Sequence, residues 1–415
     1  MYILGLNAYH PDSSAALIKD GEVVAAVEEE RFNRIKHWSG FPKKSISFCL
    51  NREGIDINDL EFITINSNPF SNFFNKIYYL STNSFSYSFL KNQIKRRSKR
   101  NNILNDLKKE FKLNKINAKL CKIDHHISHI CSSLYCSPFN DSLFLSVDGF
   151  GDFSSCLLGF FNNKKLTFHN KVNFPHSAGI FYQALTQYIG FKNYGDEYKL
   201  MGLSAYGSEK YIDQLQKIIK LKKDGTFKLN LKYFIHHKTN IDYNWENSSP
   251  KINTLYQRDA FLELLDIKNR LPDEKINDQY IDLAYSTQYV YEKVFFNLIS
   301  SLQKINNSRN LSLSGGCSLN SLANGKIYDN FNIKKIYMPP ASGDAGGSIG
   351  SALYKYFDIF KNQTHIHLRN PYLGPNFSND EISSIIFNYK IDKNKFKIHS
   401  LSDMHISKYI SEKIA

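Results

Sequence analysis

Three histidines lie close together in the segment "DHHISH" at residues 124–129, and two of them have the spacing of metal ligands. On a helix, His125 and His129 project from one face about one turn apart, so both imidazoles can reach one metal ion. His126 projects elsewhere. The alternative interpretation is an ordinary polar helix start with Asp124 as its N-cap. The HxxxH pattern alone leaves both interpretations open.

Two aspartates farther along the chain could complete such a site. Asp148 ends an apolar strand in "SVDGFGD", and Asp344 lies in the glycine-rich segment "PASGDAGGSIG" before a predicted helix. Glycines allow the backbone to approach a ligand closely, and a helix N-terminus suits phosphate. A tight hairpin turn is the alternative role for Asp148. Two histidines and two carboxylates together form a shell that suits Fe, Mn or Zn and could hold a nucleotide's phosphates through the metal.

Other candidate residues follow predicted strands. His10 comes after the first strand, where a histidine could act as a general base toward a hydroxyl group. Lys36 closes "EEERFNRIK" and could bind phosphate as a point charge. Gly315 and Gly316 are predicted to open a helix in "SGGCSLN", with Asn320 one turn inside it. Each of these signals is weak when it is taken alone.

The elements that must position these residues form two copies of one pattern. Each copy starts with a strand, a turn and a strand and continues with α/β units; the first contains a hairpin signal at Asp20-Gly21. The predicted helices lie in the segments 41–55, 125–137, 174–191 and 278–305. We therefore expect an α/β, actin-like (sugar-kinase-like) fold with two mixed sheets and a central cleft. Segments 70–118 and 208–275 are predicted insertions.

Composition limits the possible partners. The 415 residues predict two or three domains, and the net charge is +14. The dense basic run at 91–100 lacks interleaved aromatic residues, which favours a solvated surface over nucleic-acid binding. Six cysteines without a CxxC pair indicate reduced thiols in the cytoplasm. We expect no signal peptide, and no segment approaches the ~20 apolar residues of a membrane span.

Five segments together resemble one family, the O-carbamoyltransferases of the nodulation-protein and antibiotic-tailoring type. They are "GLNAYHPDSSAALIKDGEVVAAVEEERFNRIKH", "DHHISHICSSLYCSPFNDSLFLSVDGFGD", "GDEYKLMGLSAYG", "LSLSGGCSLNSLANGKI" and "ASGDAGGSIGSAL". They occur in the family's order and span most of residues 1–357. The resemblance implies an ATP-using N-terminal domain similar to the catalytic subunit of tRNA threonylcarbamoyladenosine synthase.

The resemblance also implies a reaction and its residues. A carbamoyl group would pass from carbamoyl phosphate, through carbamoyl-adenylate, to a hydroxyl of a sugar or secondary metabolite. Lys36 would hold carbamoyl phosphate, and His10 would act as the base. The implied ligands of a divalent metal, usually Fe²⁺, are His125, His129, Asp148 and Asp344. The implied nucleotide contacts are Asp148, Gly149, Phe150, Gly179, Gly316 and Asn320.

The domain organisation implied by the family is only partly covered by the sequence. Residues 1–360 would form the actin-like domain, and residues 366–415 would begin an α+β YrdC-like domain whose "GPRALG" motif is not reached. We expect either a fragment or a separate chain that supplies the remainder. The oligomeric state stays open, with a homodimer as one option. Two other functions also stay open: a nucleotide-binding remnant or partner-dependent subunit, and a small-molecule kinase.

Overall fold

The computed structural model describes residues 1–82, 102–239, 241, 243–246, 249–361, 366–389, 391–392 and 394–415. The basic run at 91–100 lies outside the described residues. The described chain forms two compact units, Met1–Leu373 and Gly374–Ala415. All of the candidate site residues belong to the first unit. The predicted domain assignment, 1–360 and 366–415, stays a prediction.

The strands and helices of the described residues are numbered here in chain order. The strands are β1 (Tyr2–Asn7), β2 (Ser14–Lys19), β3 (Glu22–Glu28), β4 (Phe62–Ile65), β5 (Lys119–Lys122), β6 (Ser142–Gly151), β7 (Ser154–Asn162), β8 (Lys165–Asn173), β9 (Ile219–Leu221), β10 (Phe227–Leu229), β11 (Tyr243–Glu246), β12 (Ser249–Ile252), β13 (Asn310–Ser314) and β14 (Lys335–Tyr337). The helices are α1 (Glu30–Asn33), α2 (Lys43–Glu53), α3 (Phe73–Thr82), α4 (Ile103–Glu110), α5 (His125–Leu134), α6 (Ala178–Tyr188), α7 (Glu197–Leu203), α8 (Ile212–Ile218), α9 (Arg258–Leu265), α10 (Asp278–Gln303), α11 (Ser321–Gly325), α12 (Ile327–Asn330), α13 (Gly347–Ile359), α14 (Asn379–Asn388) and α15 (Asp403–Ile414). Helices at all four predicted positions are confirmed.

Two five-stranded sheets have the same topology. The first has the order β3-β2-β1-β4-β5, and the second has the order β14-β13-β6-β7-β8. In each sheet the first three strands are antiparallel, and the two later strands are parallel to the first. Strand β6 therefore corresponds to β1, and β13 corresponds to β4. This duplication confirms the predicted α/β, actin-like architecture, with one sheet in each lobe.

The predicted insertions contain regular structure. Helices α3 and α4 lie within 70–118. Segment 208–275 contributes Leu215, Phe227 and Phe261 to the same hydrophobic core as α6 and α10. Because these side chains are fully or almost fully buried, the segment is an integral part of the second lobe.

Helices α5 and α13 pack against each other between the two sheets. Their side chains share one hydrophobic core with residues from both sheets. Ile130 of α5 and Leu353 of α13 belong to it, as do Ile3 of β1 and Phe144 of β6. The backbones cross closely because α13 carries a glycine at the crossing: a Cβ atom on Gly350 would lie 1.7 Å from the Ser128 carbonyl oxygen. This crossing brings the N-terminal ends of both helices to the same region.

The second unit consists of α14, α15 and their connecting residues. Helix α14 begins with a capping box formed by Ser378 and Glu381. Neither helix contains a buried residue, so this unit forms no hydrophobic core among its described residues.

Replacing Gly350 with alanine should destabilise the first unit. The added methyl group would overlap the α5 backbone, and overpacking of this kind costs about 1–3 kcal/mol. Chemical denaturation would measure the change in the free energy of unfolding. Gly202→Ala is a matched control, because this second helical glycine has open space around it and its replacement should be neutral or slightly stabilising. Equal stability of the two variants would contradict the close crossing.

Candidate active site

The first turn of α5 presents two histidines to one point. Asp124 is the N-cap, and its carboxylate accepts hydrogen bonds from the backbone N–H groups of His126 and Ile127. His125 and His129 lie on one helix face, and their Nε2 atoms are 3.0 Å apart. His126 points elsewhere, toward Ser146, whose hydroxyl is 2.9 Å from its Nδ1. The proposed helical arrangement of the three histidines is therefore what the structure shows.

Asp148 and Asp344 complete a buried group of four side chains, which we call the tetrad. Asp148 Oδ2 lies 3.2 Å from Nε2 of His125 and 3.6 Å from Nε2 of His129. Asp344 Oδ1 lies 3.4 Å from each of the same two nitrogens. All four side chains are buried, and Asp344 Oδ1 has no hydrogen-bond partner among the described residues.

The spacing within the tetrad fits one metal ion. Ligand atoms about 2.1 Å from a shared ion are separated by roughly 3.0 Å at octahedral angles and roughly 3.4 Å at tetrahedral angles. The nitrogen–oxygen distances of 3.2 to 3.6 Å lie close to that range. A mixed nitrogen and oxygen donor set also suits a first-row transition metal. The four residues present therefore fit a divalent cation.

The charges of the tetrad also favour a bound cation. Burial acts to raise the pKa of the Asp148 carboxyl, but its interactions with His125 and His129 outweigh burial and hold this pKa well below the usual range. Burial acts to lower the pKa of His129, whereas Asp148 and Asp344 raise it to about 9. Two ionised carboxylates in a buried site require a positive charge close by. A protonated histidine or a bound cation can supply that charge.

The backbone around Asp148 packs closely against its neighbours in the site. The sequence predicted that the strand ends at Asp148, but β6 continues to Gly151 with an irregular register after Val147. Asp148 Oδ1 accepts a hydrogen bond of 2.8 Å from the Gly316 N–H. A Cβ atom on Gly151 would lie 2.0 Å from the His125 ring, so only glycine allows this ring to pack there.

Of the two predicted catalytic residues, the structure places one beside the tetrad. His10 Nδ1 is 2.7 Å from Asp344 Oδ2, and the His10 ring centre is 5.2 Å from that of His125. Lys36 is exposed on the loop after α1. Its neighbour His37 pairs with Asp12, with 2.6 Å between Nδ1 and Oδ1.

Several of the predicted nucleotide contacts cluster around Asp148. A Cβ atom on Gly179 would lie 3.2 Å from both the Asp148 carbonyl oxygen and the Gly149 Cα, and Gly149 itself has open space beside it. The Gly316 N–H binds the Asp148 side chain, as described above. Phe150 stacks against His236 with 5.8 Å between ring centres. Three separate segments, around Gly149 in β6, Gly179 in α6 and Gly316 after β13, therefore meet at Asp148.

Asn320 occupies a different position from the predicted one. It is the N-cap of α11 rather than a residue one turn inside a helix, because Gly316–Leu319 forms a separate 3-10 turn. Its side chain exchanges two hydrogen bonds of 2.9 Å with Gln288 on α10. A cavity of about 180 Å³ adjoins this pair and is lined in part by Gln288, Tyr289 and Glu292.

Comparison with known proteins identifies the family. The family described as "Carbamoyltransferase N-terminus" matches residues 2–353. The chain belongs to this family. The predicted recognition as an O-carbamoyltransferase of the nodulation type is thereby confirmed.

Relatives of this carbamoyltransferase family member include nodulation proteins and uncharacterized proteins. It is 36% identical to the uncharacterized protein sll1178 of Synechocystis over 93% of this chain and 62% of that protein. It is 28% identical to the nodulation protein NolNO of Sinorhizobium fredii over 90% of this chain and 50% of that protein. The chain thus spans about half to two thirds of the length of these relatives.

Solved structures resemble the chain only with low TM-scores and low sequence identity. Component A of the Acidaminococcus fermentans (R)-2-hydroxyglutaryl-CoA dehydratase has a TM-score of 0.43 and 13% identity, over 88% of this chain and 100% of that chain. HypF of T. kodakarensis has a TM-score of 0.42 and 13% identity, over 89% of this chain and 49% of that chain. These likenesses are too weak to support an inference.

The structure also describes the cysteines and the hydrophobicity of the helices. None of the six cysteines forms a disulfide. Within the described residues, no helix is long and apolar enough to cross a membrane.

Sequence reasoning missed three features of the cleft in this carbamoyltransferase family member. Asp152 binds the N-terminus of α5. Asp12 forms a group with Glu30 and His37. Glu197, in the segment "GDEYKLMGL", interacts electrostatically with His37. The quoted family segments contain all of these residues, but no local spacing rule assigns them a contact.

Glu197 should make the stability of the protein depend on pH. Burial raises the pKa of this carboxyl from 4.5 to about 7, so ionisation destabilises the folded state as the pH rises from about 4.5 to about 7. Glu197→Gln removes this loss. Its free energy of unfolding relative to the wild type should rise by roughly 1–3 kcal/mol between about pH 5 and about pH 8. Glu209→Gln, at an exposed position, is the control for removing one carboxylate by the same substitution.

Proposed function

We propose that the chain is the catalytic N-terminal part of an ATP-dependent O-carbamoyltransferase. The donor would be carbamoyl phosphate, activated as carbamoyl-adenylate, and the acceptor a hydroxyl of a sugar or secondary metabolite. One observation carries the proposal: a buried His-His-Asp-Asp tetrad with His10 beside it, in a chain of the carbamoyltransferase family. The family model and the nodulation relatives support carbamoyl transfer in general.

The tetrad would hold a divalent metal, and we propose Fe²⁺. When bound, the metal would neutralise negative charge on the phosphates of the donor. The protein's part is to bring the two imidazoles and two carboxylates together and keep water out. The fit of the tetrad distances and the unpartnered Asp344 oxygen support this role.

The nucleotide would bind beside the backbone next to the tetrad. Gly149 has open space beside its Cα atom, and a glycine allows a phosphate group to approach the backbone closely. The cavity beside Asn320 and Gln288 supports placing the nucleoside there.

His10 would serve as the base for the acceptor. Its Nδ1 faces Asp344, which leaves Nε2 for the acceptor hydroxyl. The acceptor oxygen would form a bond to the carbamoyl carbon while the bond from that carbon to the phosphate oxygen breaks, AMP leaves, and the proton passes to Nε2. Lys36, on the loop after α1, would offset the negative charge of the phosphates.

The remaining partners are also proposals. The relatives are longer than this chain, which supports assigning donor activation to a YrdC-like domain or to a separate chain that carries it. Direct supply of carbamoyl-adenylate therefore tests the transfer step alone. The acceptor and the homodimer stay open, and the cytoplasm is the proposed location.

Metal binding should depend on the tetrad and not on the third histidine. Titration with Co²⁺, followed through its visible absorption bands, should show one ion bound per chain. Loss of a ligand should cost at least as much as the roughly 10–100-fold typical of outer partners, so His129→Ala should weaken binding by about 100-fold or more. His126→Asn is the matched control and should bind within about threefold of the wild type. Equal weakening in both variants would argue against the assigned ligand set.

Carbamoyl transfer should require His10. With carbamoyl-adenylate, Fe²⁺ and a panel of sugar and secondary-metabolite hydroxyl acceptors, mass spectrometry should detect O-carbamoylated product. His10→Ala should lower the rate by about 10²–10⁴-fold, the usual contribution of a general base. His169→Ala is the control, since His169 is exposed on β8.

Three outcomes would contradict the proposed reaction. The first is hydrolysis of carbamoyl-adenylate at its background rate with every acceptor. The second is phosphate transfer from ATP that persists in the double variant His125→Ala/His129→Ala, which would indicate a kinase. The third is ATP binding without turnover of any donor, which would indicate a nucleotide-binding remnant.

A further inference from the structure

The carboxylate of Asp152 connects three segments of the chain. Its Oδ2 accepts hydrogen bonds from the backbone N–H of His125, at 3.0 Å, and from that of Asn68, at 2.6 Å. Its Oδ1 accepts a hydrogen bond of 3.0 Å from the Ser67 hydroxyl. One side chain thus binds the first residue of α5 and the loop after β4 from its own position in the β6–β7 turn.

Asp152 completes the cap of the helix that carries the two histidines. The N–H groups of a helix's first turn have no partner within the helix. The Asp124 carboxylate accepts hydrogen bonds from the N–H groups of His126 and Ile127, and the Asp152 carboxylate accepts one from the N–H group of His125. Two carboxylates at this end also interact favourably with the helix dipole. The first turn of α5, including the ligand His125, is therefore held by a local aspartate and a distant one.

The contacts of Asp152 also join the two lobes. Ser67 and Asn68 follow a strand of the first sheet, whereas Asp152 follows a strand of the second. The backbone of Asp152 has a positive φ of 48°, and its carbonyl oxygen accepts a hydrogen bond of 3.0 Å from the Asn72 side chain. These contacts hold the turn so that the carboxylate faces α5.

We propose that Asp152 is a positioning residue for the metal centre. It fixes the first turn of α5 against both lobes, so that His125 meets His129, Asp148 and Asp344 without a rearrangement on metal binding. Outer partners of this kind typically change metal affinity by roughly 10–100-fold. This inference rests on the metal site of the proposed function.

Co²⁺ titration of two Asp152 variants tests the inference. Asp152→Ala removes the hydrogen bonds to His125, Asn68 and Ser67 and should weaken Co²⁺ binding by about 10–100-fold. Asp152→Asn can turn its oxygen to the two N–H groups and its amide to the Ser67 hydroxyl, so only the charge is lost. Its binding should weaken by about two- to fivefold, in line with the effect of one charge at a helix N-terminus.

A control separates positioning from general stability. Asp141 precedes β6 at the opposite end of the strand and bonds Ser308. Asp141→Ala should lower the melting temperature of the metal-free protein without changing Co²⁺ affinity or the visible spectrum. If Asp152→Ala does not fold, the nearly isosteric Asp152→Asn still provides the test through its affinity and its Co²⁺ spectrum.

The possible outcomes distinguish the two proposals. Wild-type protein that fails to bind Co²⁺ would overturn the metal site of the proposed function. Wild-type protein that binds Co²⁺, together with Asp152 variants that bind equally well, would overturn the positioning role alone. Graded weakening in the order wild type, Asp152→Asn, Asp152→Ala would support both.

Discussion

The rest of the structure depends on the burial of two ionised carboxylates, Asp148 and Asp344, at one point between the lobes. Removing such charges from water costs several kcal/mol per ion unless positive charge and hydrogen bonds compensate for it. His125 and His129 face both carboxylates, and the Gly316 N–H binds one of them. A cation at this point would link both lobes through a single set of bonds, so the tetrad would then be both the proposed metal site and a connection between the lobes.

The duplicated topology explains why these residues meet. Helix α5 follows the last strand of the first sheet, and α13 follows the last strand of the second. The first copy thus supplies His125 and His129 from its last helix, and the second supplies Asp344 from the residues just before its own. The turn after β1 supplies His10, and the last part of β6, the strand that corresponds to β1, supplies Asp148. Each copy thus contributes residues near the end of its first strand and at or just before its last helix.

Close packing is what allows the two copies to approach. Glycine at position 350 lets α13 cross the α5 backbone, and glycine at position 151 leaves room for the His125 ring. In both places a side chain would occupy space that the site needs. The glycine-rich segments of the sequence therefore serve helix and side-chain packing as well as the exposure of backbone to a ligand.

The sequence by itself determined the local features: the HxxxH face, the Asp124 cap, the Asp-Gly hairpin and the two-copy order of strands and helices, because each depends on residues a few positions apart. Only the tertiary structure decided that β6 continues past Asp148, that Asn320 caps α11 and that Asp152 binds a residue 27 positions away. Periodicity and capping rules describe neighbours in the chain, whereas these contacts arise where the two lobes meet. The resemblance to carbamoyltransferases named the four tetrad residues; the packing of α5 against α13 brought them within ligand distance of one another.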